Sequence, residues 1–404
     1  MKTDMRKPSC AQRETAFRQG SARVLPAHEL QASPGSPSLC RVAHLTSAHP
    51  RRDPRIFIKQ CRTLAAHGYT VTLVVADDKG DEFSDGVHVV DAGRSHGRLK
   101  RIFMTTRRVL DKALALDADV YHLHDPELIP IGLTLKRRGK RVIFDSHEDV
   151  PRQILSKPYL GAMSRRVLST AFTRFERFAC ARFDGIVAAT PFIRDIFLDI
   201  NANTIDVNNF PMLGELESSV PWDDKQAAVC YVGSIAAARG VRELVHAGAL
   251  LGSAAQIDLV GAFSETAVEA ELKAHAGWAR VRQHGFLDRA GVREVMSHSV
   301  AGLVTLHPLP NYLDSLPTKM FEYMAAGIPV IASNFPLWRD IVEQNGCGLC
   351  VDPSSPQAIA AAIDHLVARP EVASAMGERG RRMILEKYNW DVEANRLTDF
   401  YGGL

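Results

Sequence analysis

From residue 39 onward, short runs of apolar and β-branched residues alternate with longer stretches in which apolar positions recur every three or four residues. The first pattern predicts buried strands and the second predicts amphipathic helices; their alternation is the signature of parallel βαβ units. Strands are expected at Cys40–Ser47, Thr70–Ala76, Val87–Ala92, Asp119–His124, Arg141–His147, Gly185–Thr190 and Thr204–Asn209. Helices are expected between them at Arg55–His67, Arg98–Leu116, Glu127–Arg138 and Ala162–Phe183. A second set of strand-like runs begins at Ala228–Ser234 and continues through QIDLVG, VRQHGF, AGLVTL, IPVIAS and GLCVD. Phe210–Gln226 contains Pro and acidic residues and reads as a linker. The pattern therefore predicts an α/β chain with two doubly wound, Rossmann-like domains facing each other, residues 39–210 and 211–385, and a terminal segment 386–404. Residues 1–38 show no sustained period and are rich in Ser, Pro, Gln and Arg, so a disordered leader is expected there, with room for a short helix near Arg13–Gln19.

Composition narrows the function classes. The 404 residues are 46% hydrophobic and 24% charged, which excludes disorder along most of the chain. No run approaches the 18 or so apolar residues of a membrane span. The start has charge but no apolar core, so no secretory signal is expected. Seven cysteines, an odd and sparse count, suggest a reducing, cytoplasmic compartment. The net charge of +3 hides an asymmetry: residues 1–182 hold 32 Lys and Arg against 19 Asp and Glu, and the remainder holds 17 against 27. On the stretch 98–116, Leu99, Ile102, Phe103, Val109 and Leu110 share one face while Arg98, Lys100, Arg101, Arg107, Arg108 and Lys112 lie on or beside the other. Arg165, Arg166, Arg174, Arg177 and Arg182 repeat the theme. Such faces suit an anionic membrane surface, or simply a solvated exterior. Nucleic acid fits less well, because aromatics do not interleave with the charges.

Neither half carries a G-x-G-x-x-G or G-x-x-x-x-G-K-[ST] loop, so dinucleotide redox chemistry and P-loop phosphate binding are not indicated. In doubly wound sheets ligands sit at the carboxyl ends of the strands. Four stretches place polar chemistry there. In Tyr312–Ser333, a loop Asp314–Thr318 should lead into a helix Lys319–Ala326, with Ser315 and Thr318 suited to cap it. Free amides at that helix start fit a diphosphate. Lys319 in the first turn opposes the helix dipole unless an anion binds beside it. Glu322, one turn on, could accept the two hydroxyls of a ribose, or could be an ordinary solvent-facing acid. In Tyr231–Leu244, Gly233 would let backbone approach a ligand, and Arg239 before Gly240 is either a phosphate ligand or a surface cation at a helix start. In Asp119–Leu133, His122 and His124 point alike at a strand end, followed by Asp125 as cap and Pro126. They could be a metal pair, but no third ligand follows at a fitting spacing. In Val142–Leu155, any general base would be His147, Glu148 or Asp149. A nucleotide base is expected against the backbone of His284 and Gly285, with Gly261 lining the same crevice. Cys347-Gly-Leu-Cys350 lies in an apolar strand and reads as structural.

The stretch Tyr312–Ser333 resembles the retaining nucleotide-sugar glycosyltransferases of family 4, which have the GT-B fold with a deep interdomain cleft. Their hallmark, Glu-x(7)-Glu before a G-x-P-V-[IV]-[AG] strand, reads here as Asp314, Glu322 and GIPVIAS. The resemblance implies that Glu322 binds the nucleotide ribose and that Asp314 lies near the transferred sugar. It implies that loop amides around Ser315, Leu316 and Pro317 contact sugar and phosphate. It also implies that Arg239 and Gly240 match the family's Lys-Gly pair. Ser234 stands where a first phosphate-binding Arg is common, a charge that Lys319 could supply. His124 is implied to face the donor sugar. The segment His44–Gln60 and the strand ending at His147 resemble a bacterial subgroup that builds cell-surface polysaccharides, with Asp53, Arg55 and Asp149 as acceptor-side candidates; an Asp53–Arg55 helix cap is the structural alternative. The final helix, Tyr388–Tyr401, resembles a tail that crosses back to the first domain, with Trp390 as its anchor. The expected donor is a UDP- or GDP-sugar, with no metal or other cofactor required. The expected acceptor is a saccharide or polyprenyl-linked molecule, reached from the cytoplasm or the inner membrane face. A nucleotide-sugar epimerase and a non-catalytic nucleotide-sugar sensor are the competing classes.

Overall fold

The computed structural model describes residues 40–95, 97, 101–155, 161–218 and 220–404. The expected leader and the residues Arg98, Leu99 and Lys100 lie outside the described residues. The chain divides into two units: residues up to Asn208 together with Glu393–Leu404, and Asn209–Val392.

The first unit is built on β1 (Arg41–Leu45), β2 (Thr70–Val75), β3 (Glu82–Ser84), β4 (Val87–Asp91), β5 (Val120–Leu123), β6 (Arg141–Ser146), β7 (Gly185–Ala188) and β8 (Thr204–Asp206). They form one sheet in the order β3-β4-β2-β1-β5-β6-β7-β8, parallel except for β3. The central strands bury both faces, which is why they read as near-continuous apolar runs. The strand order reverses between β1 and β5, where His44 lies opposite His122 in register. Two features depart from the expectation. The short hairpin β3–β4 turns at Asp85-Gly86, both at positive φ (52° and 78°), as a two-residue turn demands. The helix expected at Arg55–His67 begins as a π-helix, Pro54–Cys61, and becomes α-helical only over Arg62–Ala66. Two short helices, Val150–Leu155 and Pro191–Leu198, were not foreshadowed.

The second unit holds β9 (Ala228–Val232), β10 (Gln256–Val260), β11 (Val281–Gly285), β12 (Ala301–Val304), β13 (Val330–Ser333) and β14 (Gly348–Val351), all parallel, in the order β11-β10-β9-β12-β13-β14. Apolar cores cover it, one containing Met320, Phe321, Tyr323 and Trp338, the other Leu244, Leu259, Leu303 and Ile363. Gly302 in β12 has no side chain because the Tyr323 ring occupies that space: a Cβ there would lie 2.1 Å from the ring. Phe210–Gln226 is not a free linker. Phe210 and Leu216 are buried, and the Phe210 ring packs on Phe321 and Tyr388 at 4.6 and 5.3 Å.

The last helix spans Trp390–Gly402, and its residues from Glu393 group with the first unit. Trp390, expected as its anchor, is buried but groups with the second unit, its backbone amide on the Pro211 carbonyl. Tyr401 is fully buried instead, and the Phe400 ring fills the space above Gly185. Cys347 and Cys350 are free thiols, and Cys347 is buried. Among the described residues no helix is long and apolar enough to cross a membrane.

Candidate active site

In the second unit the strand order reverses between β9 and β12, and the ends of three neighbouring strands carry glycine. Gly233, Gly261 and Gly285 have φ of +119°, +137° and +68°. A Cβ on Gly261 would lie 2.0 Å from the Gly233 carbonyl oxygen, so these loops can approach this closely only without side chains. Beside them Gly240, also at positive φ, caps the helix Val241–Gly248, directly after Arg239. Ser234 Oγ lies 2.9 Å from Ser264 Oγ and supplies no charge.

Lys319 is not the surface lysine that a first-turn position suggests. It is 7% exposed, and its Nζ sits 3.5 Å above the centre of the Tyr231 ring. Among the described residues its Nζ has no hydrogen-bond acceptor. Its Nζ is 3.6 Å from where a Cβ on Gly233 would be, so it underlies the glycine loop. Burial, reinforced by the nearby Arg239, holds its pKa well below the ordinary lysine value. A buried amine with no partner is costly unless an anion completes it.

The helix that carries it runs Thr318–Ala325, and the cap of that helix is Pro317, with no side-chain bond. The caps expected from Ser315 and Thr318 therefore do not form: Ser315 Oγ donates to the Tyr312 carbonyl (2.8 Å), and Thr318 is exposed within the first turn. The Ser315 amide also donates to Tyr312 (3.1 Å), and the Ser315 carbonyl accepts from Trp338 Nε1 (2.8 Å). That amide is thus unavailable to a ligand, contrary to expectation. Leu316 is half-buried against the core, and Asp314 is half-buried in the loop before it. Glu322 does not face solvent alone. Arg289, which the sequence reading missed, donates Nη1 to Glu322 Oε1 at 2.7 Å and grips Glu215 through Nε and Nη2 at 2.8 and 2.9 Å. A carboxylate so held keeps lone pairs for two hydroxyls. The His284 ring turns to Asp258 (2.7 Å), leaving its backbone and that of Gly285 at the strand end.

In the first unit a cluster occupies the reversal point. His44, His122 and His124 stack with ring centres 4.7–5.1 Å apart, all fully buried. His44 Nδ1 lies 2.8 Å from His124 Nε2, and His124 Nδ1 lies 3.3 Å from Asp145 Oδ2. His147 Nε2 is also 3.3 Å from Asp145 Oδ2. The Tyr401 hydroxyl is 2.7 Å from His122 Nδ1. Asp145, fully buried, accepts from Arg55 Nε and Nη2 (3.1 and 2.7 Å) and from Gln60 Nε2 (2.7 Å). Burial alone would raise its pKa; Arg55, His147 and His124 outweigh that and hold it ionised. Burial pushes His124 down to about 3, and lowers His44 and His122 too, so these rings are neutral. The network then fixes the tautomers: His44 Nδ1–H donates to His124, and His124 Nδ1–H donates to Asp145.

Three expectations need correction. His124 has no exposed side-chain surface and both its nitrogens are engaged within the cluster, so it is not the solvent-facing group expected; the partly exposed member is His147. Arg55 is buried and bound to Asp145 and the Val207 carbonyl (2.6 Å), not turned toward an acceptor. A third ligand for the His122–His124 pair does exist, His44, with nitrogens all within 4.8 Å; His124, Asp145 and His147 form a second such group. The stacking of His124 on both His44 and His122 and the 2.8 Å N–N separation of His44 and His124 fit a hydrogen-bonded relay better than convergence on one ion. Asp53 is a cap, accepting from the amides of Arg55 and Ile56 (2.9 and 3.0 Å), and it also meets His49 at 3.2 Å. Asp125 is the N-cap of the short helix Pro126–Leu128, as expected, but its side chain makes no cap bond; it accepts instead from Thr46 Oγ1 and the Ser47 amide (2.8 and 2.6 Å). Asp149 is half-buried and pairs with Arg152, and Glu148 is exposed.

Comparisons with known proteins bear on the family and the fold. Residues 214–383 match the family described as glycosyl transferases group 1, and residues 57–208 match a glycosyl transferase 4-like domain. A GDP-mannose-dependent alpha-(1-6)-phosphatidylinositol monomannoside mannosyltransferase of Mycobacterium tuberculosis is 36% identical over 91 residues, 22% of this chain and 24% of that protein. The match thus spans about a quarter of that relative's length. Among solved structures, sucrose-phosphate synthase from Thermosynechococcus elongatus superposes with a TM-score of 0.72 at 20% identity, covering 90% of this chain and 98% of its own. HepE of Anabaena, solved with UDP and glucose, gives 0.68 at 14% identity, covering 90% and 100%.

Proposed function

Because this chain belongs to the group 1, family 4 glycosyltransferases and has their GT-B fold of two Rossmann-like units, we propose that it moves a sugar, with retention, from a nucleoside-diphosphate sugar to a saccharide or polyprenyl-linked acceptor in cell-surface polysaccharide synthesis. The observation that carries this reading is Lys319, a buried amine without a partner beneath the Gly233 loop and next to Arg239. A diphosphate there would complete it. As the glycosidic bond breaks, charge grows on the leaving diphosphate, and Lys319 and Arg239 stabilise that charge in place of a divalent ion. Glu322, steadied by Arg289, receives the ribose hydroxyls, and the Gly261, His284 and Gly285 backbone borders the base. Asp314 stays the candidate beside the transferred sugar.

On the first unit, His147 is the group that handles the acceptor proton. Asp145 holds its Nε2, which leaves Nδ1 as the accepting nitrogen, and His124 and His44 position Asp145 from behind. Glu148 and Asp149 lack such support. The donor is UDP- or GDP-linked, in keeping with the UDP bound to HepE and the GDP-mannose dependence of the mannosyltransferase. We place the protein in the cytoplasm, at the inner membrane face. Met163 and Val167 on the helix Ala162–Cys180 are 72% and 61% exposed beside Arg165 and Arg166, an arrangement suited to an anionic bilayer. Thermal unfolding with UDP, GDP, ADP or no ligand tests the nucleotide site. A ligand at a hundred times its Kd adds about 2.7 kcal/mol, a shift of several degrees, and one base should dominate. No shift with any of the three would remove the basis of the assignment.

A further inference from the structure

We propose that the first unit contains a second oxyanion site, and that the acceptor therefore carries a phosphate group; only the identification of this ligand as the acceptor rests on the transfer reading above. The site is a cavity of about 530 Å³ formed where the loops after β1, β2 and β4 meet the helical segment from Arg101. That is within the range of small-molecule sites.

Two cations line it without compensation. Arg94 and Lys79 are exposed, and among the described residues neither side chain has an acidic partner. The other charges there are already matched. Asp77 is held bidentately by Arg51 (2.7 and 2.7 Å), and Arg101 is held by Glu127 (2.9 and 3.1 Å). His49 at the rim faces Asp53 and Asp125, which outweigh the effect of its burial and favour its charged form. The balance is a net positive pocket.

Hydroxyls supply the independent observation. Thr105 is 1% exposed and lines the cavity, and among the described residues its Oγ1 has no hydrogen-bond partner; Ser95 Oγ, also buried in the wall, has none among them either. Buried hydroxyls are normally satisfied, so donors left open at the wall of a cationic cavity are placed for an acceptor-rich ligand. A phosphate takes two guanidinium N–H groups, an ammonium and two hydroxyls at once. The site differs from the diphosphate site around Lys319 in unit, residues and ligand.

The test uses the full chain and inorganic phosphate, titrated calorimetrically at constant ionic strength. Lys319→Met removes the amine of the nucleotide site, and in that variant phosphate should still bind. Arg94→Ala with Lys79→Ala should then weaken phosphate tenfold or more while UDP or GDP affinity in the Lys319 background of the wild type stays unchanged. Both residues are exposed, so folding is not at risk, and Thr105→Val gives a smaller loss in the same direction. Equal phosphate affinity with and without Arg94 and Lys79, or no binding to the wild type, overturns the site. In transfer assays phosphate should compete with acceptor and not with donor; competition with donor alone overturns the acceptor assignment. Phosphate bound through Arg94 in a protein that binds no nucleotide would sink the transferase reading and leave this site standing.

Discussion

Replacing Lys319 with Met separates the two roles that its burial imposes. In the unliganded protein the amine lies over Tyr231 with no acceptor, and its charged form is disfavoured. The groups around it are Arg239, which lowers its pKa further, Glu322 and Cys230, which raise it, and Tyr231, itself pushed up to about 12 and therefore neutral. A lysine whose folded pKa is depressed binds fewer protons folded than unfolded. Stability therefore rises with pH between the depressed value and the unfolded value near 10.4, by at most about 1.4 kcal/mol per unit. Lys319→Met should abolish that slope and raise the unliganded Tm at pH 7. A bound diphosphate reverses the preference, so nucleotide binding should be accompanied by proton uptake at alkaline pH, where a terminal phosphate with second pKa near 6 is already ionised. Calorimetry in buffers of different ionisation enthalpy counts that proton. Losing a charge-assisted contact of about 1.5–3 kcal/mol should weaken nucleotide roughly 10- to 150-fold in the variant. Wild-type affinity in Lys319→Met, together with no proton uptake, would refute the reasoning.

Glu322→Ala should weaken UDP or GDP roughly tenfold or more through loss of hydroxyl contacts, and Arg289→Ala should do so less, since it only steadies the carboxylate; equilibrium titration reads both. His147→Gln should cut transfer while nucleotide affinity stays within about twofold, because the Asp145 cluster and the donor residues belong to separate units. Burial, and then Asp149, push Glu176 up to about 8, so its folded form holds a proton that the unfolded chain loses. Stability should fall as pH rises from about 4.5 to 8, and Glu176→Gln should raise the Tm at pH 8 but not at pH 4.5. Transfer should persist in EDTA; its loss, restored by a divalent ion, would place a metal at His44, His122 and His124.

The sheet strands were legible because their signal is local: Val71 to Val75 and Val142 to Phe144 are apolar runs wherever they are read. The glycines at 233, 240 and 261 and the acid at 322 were legible for a related reason, since their spacing to a strand or helix end is fixed along the chain. What escaped depends on neighbours distant in sequence. His44 joins His122 only because β1 pairs with β5, 78 residues apart in register, and Tyr401 reaches the same cluster from the end of the chain. Arg289 finds Glu322 across 33 residues. The helical periodicity placed Lys319 in a first turn but could not show that Tyr231, on β9, roofs that turn and buries the amine. The Asp85-Gly86 pair did carry a hairpin signal, masked by the three-residue length of β3.

Sugar transfer itself is the claim on which the rest depends. Radiolabelled UDP- and GDP-sugars should be incubated with the full chain and with saccharide and polyprenyl-phosphate acceptors, and the products separated and their anomeric configuration read by NMR. One nucleoside diphosphate should be released for each new glycoside, with the donor's anomeric configuration kept. An epimerised nucleotide sugar without any glycoside, or an inverted linkage, would contradict it.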